Sequence, residues 1–158
     1  MIELNIPDKL IKLAKERSDK LGVLKNSITG GEGNVAGYIG QMLIKLYLDG
    51  EDVDAYDFDV VKNKIRYEVK TKRCGPPPKP EYACSICAHN ARQDCDYYVF
   101  VRVRNDYKKA WILGKKKAKQ YLNESIYCKK GEIDPDSNLG WTFKENCYNL
   151  KINQLEQI

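Results

Sequence analysis

The 158-residue chain carries 27 Lys and Arg against 22 Asp and Glu, a formal charge of +5, with 42% hydrophobic and 31% charged residues. That balance excludes a disordered polyelectrolyte, the length suits a single domain over residues 1–158, and no run of 18 apolar residues is present to form a membrane-spanning helix. The start, Met1-Ile2-Glu3-Leu4-Asn5, lacks the charged-then-apolar layout of a secretory signal, so a cytoplasmic protein is expected, with a charge that permits a polyanionic partner without demanding one.

Residues 8–21 predict a helix. Pro7-Asp8 starts it, Leu10, Leu13, Ala14, Arg17 and Leu21 recur at helical spacing, and Gly22 ends it. Gly30-Gly31-Glu32-Gly33-Asn34 follows as a joint that fits neither a P-loop nor a dinucleotide fingerprint, and reads as a hinge or as the edge of a substrate cleft. A second helix is predicted over residues 37–48, with Val35, Ile39, Met42, Leu43, Leu46 and Tyr47 as its apolar positions.

Residues 57–70 predict a β-hairpin. Side chains alternate along a strand, so Asp57, Asp59 and Val61 share one face, while Ile65, Tyr67 and Val69 separate from Arg66, Glu68 and Lys70. A two-residue turn at Asn63-Lys64 gives pairs that sum to 127, placing Asp59 opposite Glu68 and Asp57 opposite Lys70. Two opposed carboxylates destabilise a sheet, and a hard divalent cation relieves them. A solvated charged face explains the same pattern, and Asp106-Tyr107-Lys108 repeats the Asp/Glu-x-Lys spacing in a predicted turn.

Gly75-Pro76-Pro77-Pro78-Lys79-Pro80 predicts a stiff, extended loop that either borders a cleft or merely leaves the strand. Cys84-Ser85-Ile86-Cys87 has metal-ligand spacing, and Cys74, His89 and Cys95 are near enough in sequence to complete a structural zinc site. Buried free thiols are the alternative. Strands are predicted at residues 97–104 and 110–113, then a helix opened by Lys115, Lys116, Lys117 and Lys119. Residues 131–140 are turn-rich, and residues 141–152 suit one or two closing strands. Lys72 and Arg73, with Lys115, Lys116 and Lys117, are candidates for phosphate contacts or for a solvated surface.

Over residues 34–114 this order resembles the PD-(D/E)xK nuclease superfamily, the restriction-endonuclease-like α/β fold with an αβββαβ core. Gly37-Tyr38-Ile39-Gly40-Gln41 and Glu68-Val69-Lys70-Thr71-Lys72 are similar to segments of its small phage and prokaryotic members. The resemblance implies a metal-dependent endonuclease acting on DNA, with Asp59, Glu68 and the Val69 carbonyl holding Mg²⁺ or Mn²⁺ and Lys70 assisting at the phosphate. It also implies a possible homodimer, since many relatives cut two strands as dimers. Members often carry a Glu where this chain has Gln41, so one metal suffices, Glu32 substitutes, or activity is reduced. Gln93-x-x-x-Tyr97 resembles a motif of RecB-like nucleases in which the Gln positions substrate, and some of those relatives hold an iron–sulfur cluster. Two other readings remain: a nuclease-fold DNA-binding module with a decayed site and a zinc-stabilised loop, and an RNA-directed nuclease.

Overall fold

The computed structural model describes residues 1–21, 33–53, 55–133 and 140–158. Its elements run β1 (Ile2–Asn5), α1 (Asp8–Leu21), α2 (Asn34–Leu48), β2 (Glu51–Asp52), β3 (Val60–Lys62), β4 (Ile65–Cys74) and β5 (Ala83–Cys87). A 3-10 helix (Ala88–Arg92), β6 (Tyr97–Arg104), β7 (Lys109–Lys117), α3 (Ala118–Glu124), β8 (Ile126–Cys128) and β9 (Cys147–Lys151) complete the order. The architecture is mixed α/β. Gly30, Gly31 and Glu32 lie outside the described residues, as do residues 134–139 of the turn-rich segment.

Six strands form one mixed sheet in the order β1-β7-β6-β4-β3-β2, in which only β4 and β6 run parallel. The run Tyr97-Tyr98-Val99-Phe100-Val101 explains its centre, because a strand covered on both faces reads as continuously apolar. On one face Val99, Val101 and Val103 pack with Leu10 and Ala14 of α1 and Ile39, Leu43 and Ile44 of α2. On the other, Tyr98 and Phe100 pack with Tyr121 of α3, Ile86 of β5 and Leu150 of β9. The second cover is a three-stranded antiparallel sheet, β5-β9-β8. Each fully buried aliphatic chain in these layers contributes about 1.5–3 kcal/mol.

The predicted hairpin register holds. Val60 pairs with Tyr67, Val61 with Arg66 and Lys62 with Ile65. Asn63 and Lys64 both have positive φ, 52° and 66°, the pair of left-handed residues that a type I′ turn requires. The first strand is shorter than expected, starting at Val60 rather than Asp57. The Asp59 N–H donates to the Tyr67 carbonyl at 2.9 Å, one residue off the ladder, and its side chain accepts from the Val69 N–H at 2.8 Å. A carboxylate thus takes the place of the next backbone partner.

Other expectations are corrected. Lys115, Lys116 and Lys117 end strand β7 instead of opening the helix, which begins at Ala118; they pair with Val99, Tyr98 and Tyr97. The segment between the two central strands holds β5 and a short 3-10 helix, where an α-helix was expected, because residues 83–87 pair with β9 60 to 68 positions later. On α1, Leu10 and Ala14 are buried, but Leu13 and Leu21 are exposed.

Helix α2 meets β4 through Gly40. A Cβ there would lie 2.0 Å from the Thr71 Oγ1, far inside contact distance. Replacing a helical Gly by Ala ordinarily favours the helix by up to about 1 kcal/mol, but overpacking costs about 1–3 kcal/mol and decides the sign. Gly40→Ala is expected to lower stability by about 1–2 kcal/mol in urea unfolding. Adding Thr71→Ala should recover part of that loss.

Candidate active site

Strand β4 carries Glu68 and Lys70 on one face, two residues apart, and that face is covered rather than solvated. Glu68 is 7% exposed. Lys70 Nζ donates to Glu68 Oε1 at 2.6 Å and to Gln93 Oε1 at 2.7 Å. Gln93 Nε2 returns a bond to Glu68 Oε1 at 2.9 Å and another to the Tyr56 carbonyl at 2.6 Å. Lys70 also lies over the Tyr98 ring, 6.0 Å from its centroid. Two of the three ammonium donors are therefore committed, and one direction remains for a ligand.

Asp59 completes the group. Its carboxyl hydrogen-bonds with that of Glu68, and its acidity shifts from an ordinary 3.8 to about 7, chiefly through burial and then through the Glu68 charge. The Val69 N–H and Lys70 oppose that rise without cancelling it. Within a strand the N–H and C=O of one residue point to the same side, so the Val69 carbonyl is directed toward Asp59, beyond the Val60–Tyr67 pair where the β3 ladder ends. Asp59, Glu68 and this carbonyl are the donors that could hold a hard divalent cation. Among the described residues, no cluster of three or more His, Cys, Asp or Glu side chains is arranged as metal ligands, so side chains alone offer such an ion two carboxylates.

Gln93 is brought into the group although it shares no helix with Tyr97, which begins β6. A network that the sequence reading missed holds it there. The Arg66 backbone N–H and guanidinium reach Asp96 at 2.8 and 3.2 Å, Arg66 Nη1 reaches Asp94 at 2.6 Å, and the Asp96 N–H donates to the Arg66 carbonyl at 2.9 Å. The Arg66 guanidinium holds the Asp96 carboxyl below the usual carboxylate range. Asp57 belongs here and not opposite Lys70: it accepts from the Asp94 N–H at 3.3 Å. The pair Asp94-x-Asp96 was the available signal, but nothing in sequence couples it to Arg66.

Gln41 is buried on α2, and its amide donates to Asp52 at 2.7 Å. Arg17 of α1 pairs with that same carboxylate at 2.9 Å. Among the described residues no hydrogen bond joins Gln41 to Asp59, Glu68 or Lys70, so the helix brings no carboxylate to them. The candidate phosphate contacts disperse. Lys72 is exposed beyond Lys70, 5.6 Å from the Trp141 ring centroid, and Arg73 faces the other way, 6.0 Å from that of Tyr107. Lys115 lies over Tyr97 at 4.9 Å, Lys116 pairs with Glu124 at 2.8 Å, and Lys117 is exposed at the strand end.

The cysteines do not assemble as the zinc spacing suggested. Cys84 and Cys87 lie three apart on β5, where such residues face opposite sides, and six cysteines are free thiols. Cys84 is buried with its thiol pushed up to about 12 by desolvation. Cys95 underlies the site, its thiol also pushed up to about 12, by burial first and the Glu68 charge next. Cys87 instead faces Cys147, which faces Cys128, a row created by long-range strand pairing. No protein-family model and no curated protein matches this chain.

A raised carboxyl pKa makes stability fall with pH. Asp59 binds its proton more tightly folded than unfolded, so its contribution is full below about pH 4 and lost as pH rises through about 7. Without divalent cation, thermal unfolding of the wild type is expected to show this decline, and Asp59→Asn to flatten it. Above pH 7, Mn²⁺ should raise the wild-type Tm more than that of Asp59→Asn.

Proposed function

We propose that the chain is a metal-dependent endonuclease that hydrolyses DNA phosphodiester bonds, on a restriction-endonuclease-like version of the mixed α/β fold. The observation that carries this reading is the contact of the half-buried Asp59 carboxyl with the buried Glu68 carboxylate, beside the pinned ammonium of Lys70. Once the Asp59 proton is lost, as pH rises through about 7, the site holds more negative charge than its lysine balances, which favours a divalent cation at its mouth. Mg²⁺ or Mn²⁺ bound by Asp59, Glu68 and the Val69 carbonyl would supply Lewis acidity toward a phosphate oxygen and acidify water.

The chain's own groups divide the remaining work. Glu68 orients Lys70, and Gln93 fixes it from the other side. Lys70 directs its remaining N–H at the phosphate, where it stabilises the charge that grows as the water oxygen adds to phosphorus and the P–O bond to the leaving sugar oxygen breaks, the water's proton passing through solvent to that leaving oxygen. Gln93, bonded to both partners and to the Tyr56 carbonyl, is a positioning residue that keeps this geometry from relaxing. DNA as substrate rests on the family resemblance and agrees with the net charge of +5.

One observation favours a weaker catalyst or a binding module. Gln41 is committed to Asp52, so no further acidic group joins the pair. Turnover separates the two readings. Purified protein with Mg²⁺ or Mn²⁺ is expected to nick plasmid DNA. Glu68→Gln and Lys70→Ala should each reduce the rate by at least about a hundredfold, with unchanged circular dichroism. Gln93→Ala should lower kcat more than it raises KM. Undiminished nicking by Glu68→Gln would overturn the assignment, and the same assay on RNA decides the substrate class.

A further inference from the structure

Arg102 lies on β6 directly beside Lys72 of β4, and it is 6% exposed. Its Nη2 donates to the Ala83 carbonyl at 2.6 Å. Among the described residues no carboxylate forms an ion pair with it, and its titratable neighbours are the Cys84 and Cys74 thiols, which burial keeps protonated and neutral. A guanidinium has five donors in a fixed fork, and an uncompensated buried charge is costly. Burial accordingly lowers its pKa from the ordinary value. The Ala83 carbonyl takes one of its five donors, and an anion would balance the charge of the rest.

Two clefts meet at this residue. One, of about 280 Å³, contains Lys70, Lys72, Ser85, Asn90 and Arg102. The other, of about 230 Å³, is bounded by Lys72, Arg102, Pro76, Pro78 and Tyr82, so the stiff proline loop forms its far wall. Lys70 and Lys72 share a face of β4 and stand about 6.6 Å apart along it, with Arg102 about 4.8 Å across on the next strand. An anion between Lys72 and Arg102 would therefore sit one step along from Lys70, the arrangement that successive phosphates of one nucleic-acid strand require.

We propose that Arg102 and Lys72 form a phosphate-binding subsite, which takes the nucleic-acid phosphate next to the one presented to Asp59, Glu68 and Lys70. The anion site stands on the unbalanced buried guanidinium and the shared cleft. Its description as the neighbouring phosphate rests on the nuclease reading. Arg102 provides the bidentate fork suited to phosphate oxygens, and Lys72, whose ammonium lies over Trp141, provides a charge from the open side.

Binding measured in EDTA tests this separately from cleavage. Labelled single-stranded and duplex oligonucleotides, each with a 5′-hydroxyl or a 5′-phosphate, are titrated with wild type, Arg102→Met and Arg102→Lys over a range of salt. Arg102→Met is expected to weaken binding about tenfold and to reduce the slope of log K against log salt by about one. Arg102→Lys should keep the slope and lose part of the affinity. A loss confined to 5′-phosphorylated strands assigns the subsite to a strand end, and an equal loss on both assigns it to an internal phosphodiester. Inorganic phosphate should raise the Tm of wild type but not of Arg102→Met.

If Arg102 serves only to cap the Ala83 carbonyl, Arg102→Met will lower the Tm while affinity and salt slope stay at wild-type values, and the proposal is wrong. It is equally wrong if wild type neither binds these oligonucleotides nor responds to phosphate. Should Arg102→Met fail to fold, exposed Lys72→Met carries the comparison, and unchanged affinity and slope in that variant overturn the subsite. Nicking by Glu68→Gln would defeat the nuclease reading and leave the EDTA result standing.

Discussion

Strand β6 is apolar from Tyr97 to Val101 and again at Val103, and a strand of that kind folds only if both of its faces are covered. Burying Tyr98 and Phe100 on one side and Val99, Val101 and Val103 on the other demands two separate layers. Helices α1 and α2 supply the first, and the β5-β9-β8 sheet with α3 supplies the second. Strand β4, laid parallel against β6, inherits both covers. Its polar residues Glu68 and Lys70 consequently face a packed layer, and it is this enclosure that changes their chemistry.

In water, Asp59 and Glu68 would be an ordinary pair of solvated acids. Here they meet where burial and mutual repulsion outweigh the backbone N–H of Val69 and the Lys70 charge, which is why one proton is retained up to about pH 7. The same enclosure fixes Lys70 between Glu68 and Gln93. Arg66, Asp94 and Asp96 tie the Gln93 segment to the start of β4, so the position of the glutamine is set by surface ion pairs whose role is geometric. Exposed pairs of this kind add little stability. Arg102 extends the theme further along the sheet: a charge kept under cover, with its balance left to a ligand.

Much of the hairpin was legible because strand geometry is local. Alternation and a two-residue turn were enough to pair Val61 with Arg66 and to bring Asp59 to Glu68. They were not enough to see that Asp59 leaves the ladder and bonds Val69 through its side chain. Asp57 was misplaced for the same reason, since its partner, the Asp94 N–H, is 37 positions away. Gln41 was recognised as a Gln where the resembled sequences often carry a Glu, but its bond to Asp52 and, through it, to Arg17 depends on how α1 and α2 pack. The lysines at 115–117 looked helical because a charged run carries no period of its own.

The sequence by itself determined the central apolar strand, the hairpin with its two-residue turn, the two leading helices and the residue types of the site, all of which follow from propensity and periodicity within about 20 positions. Tertiary structure alone decided which charges are buried. It covered Glu68 and Arg102, admitted Gln93, turned Gln41 toward Asp52, and separated Cys84 from Cys87 while aligning Cys87, Cys147 and Cys128. The physical reason is that a charge's energy depends on the solvent and partners around it. Those are set by strands and helices that meet across the sheet from distant parts of the chain.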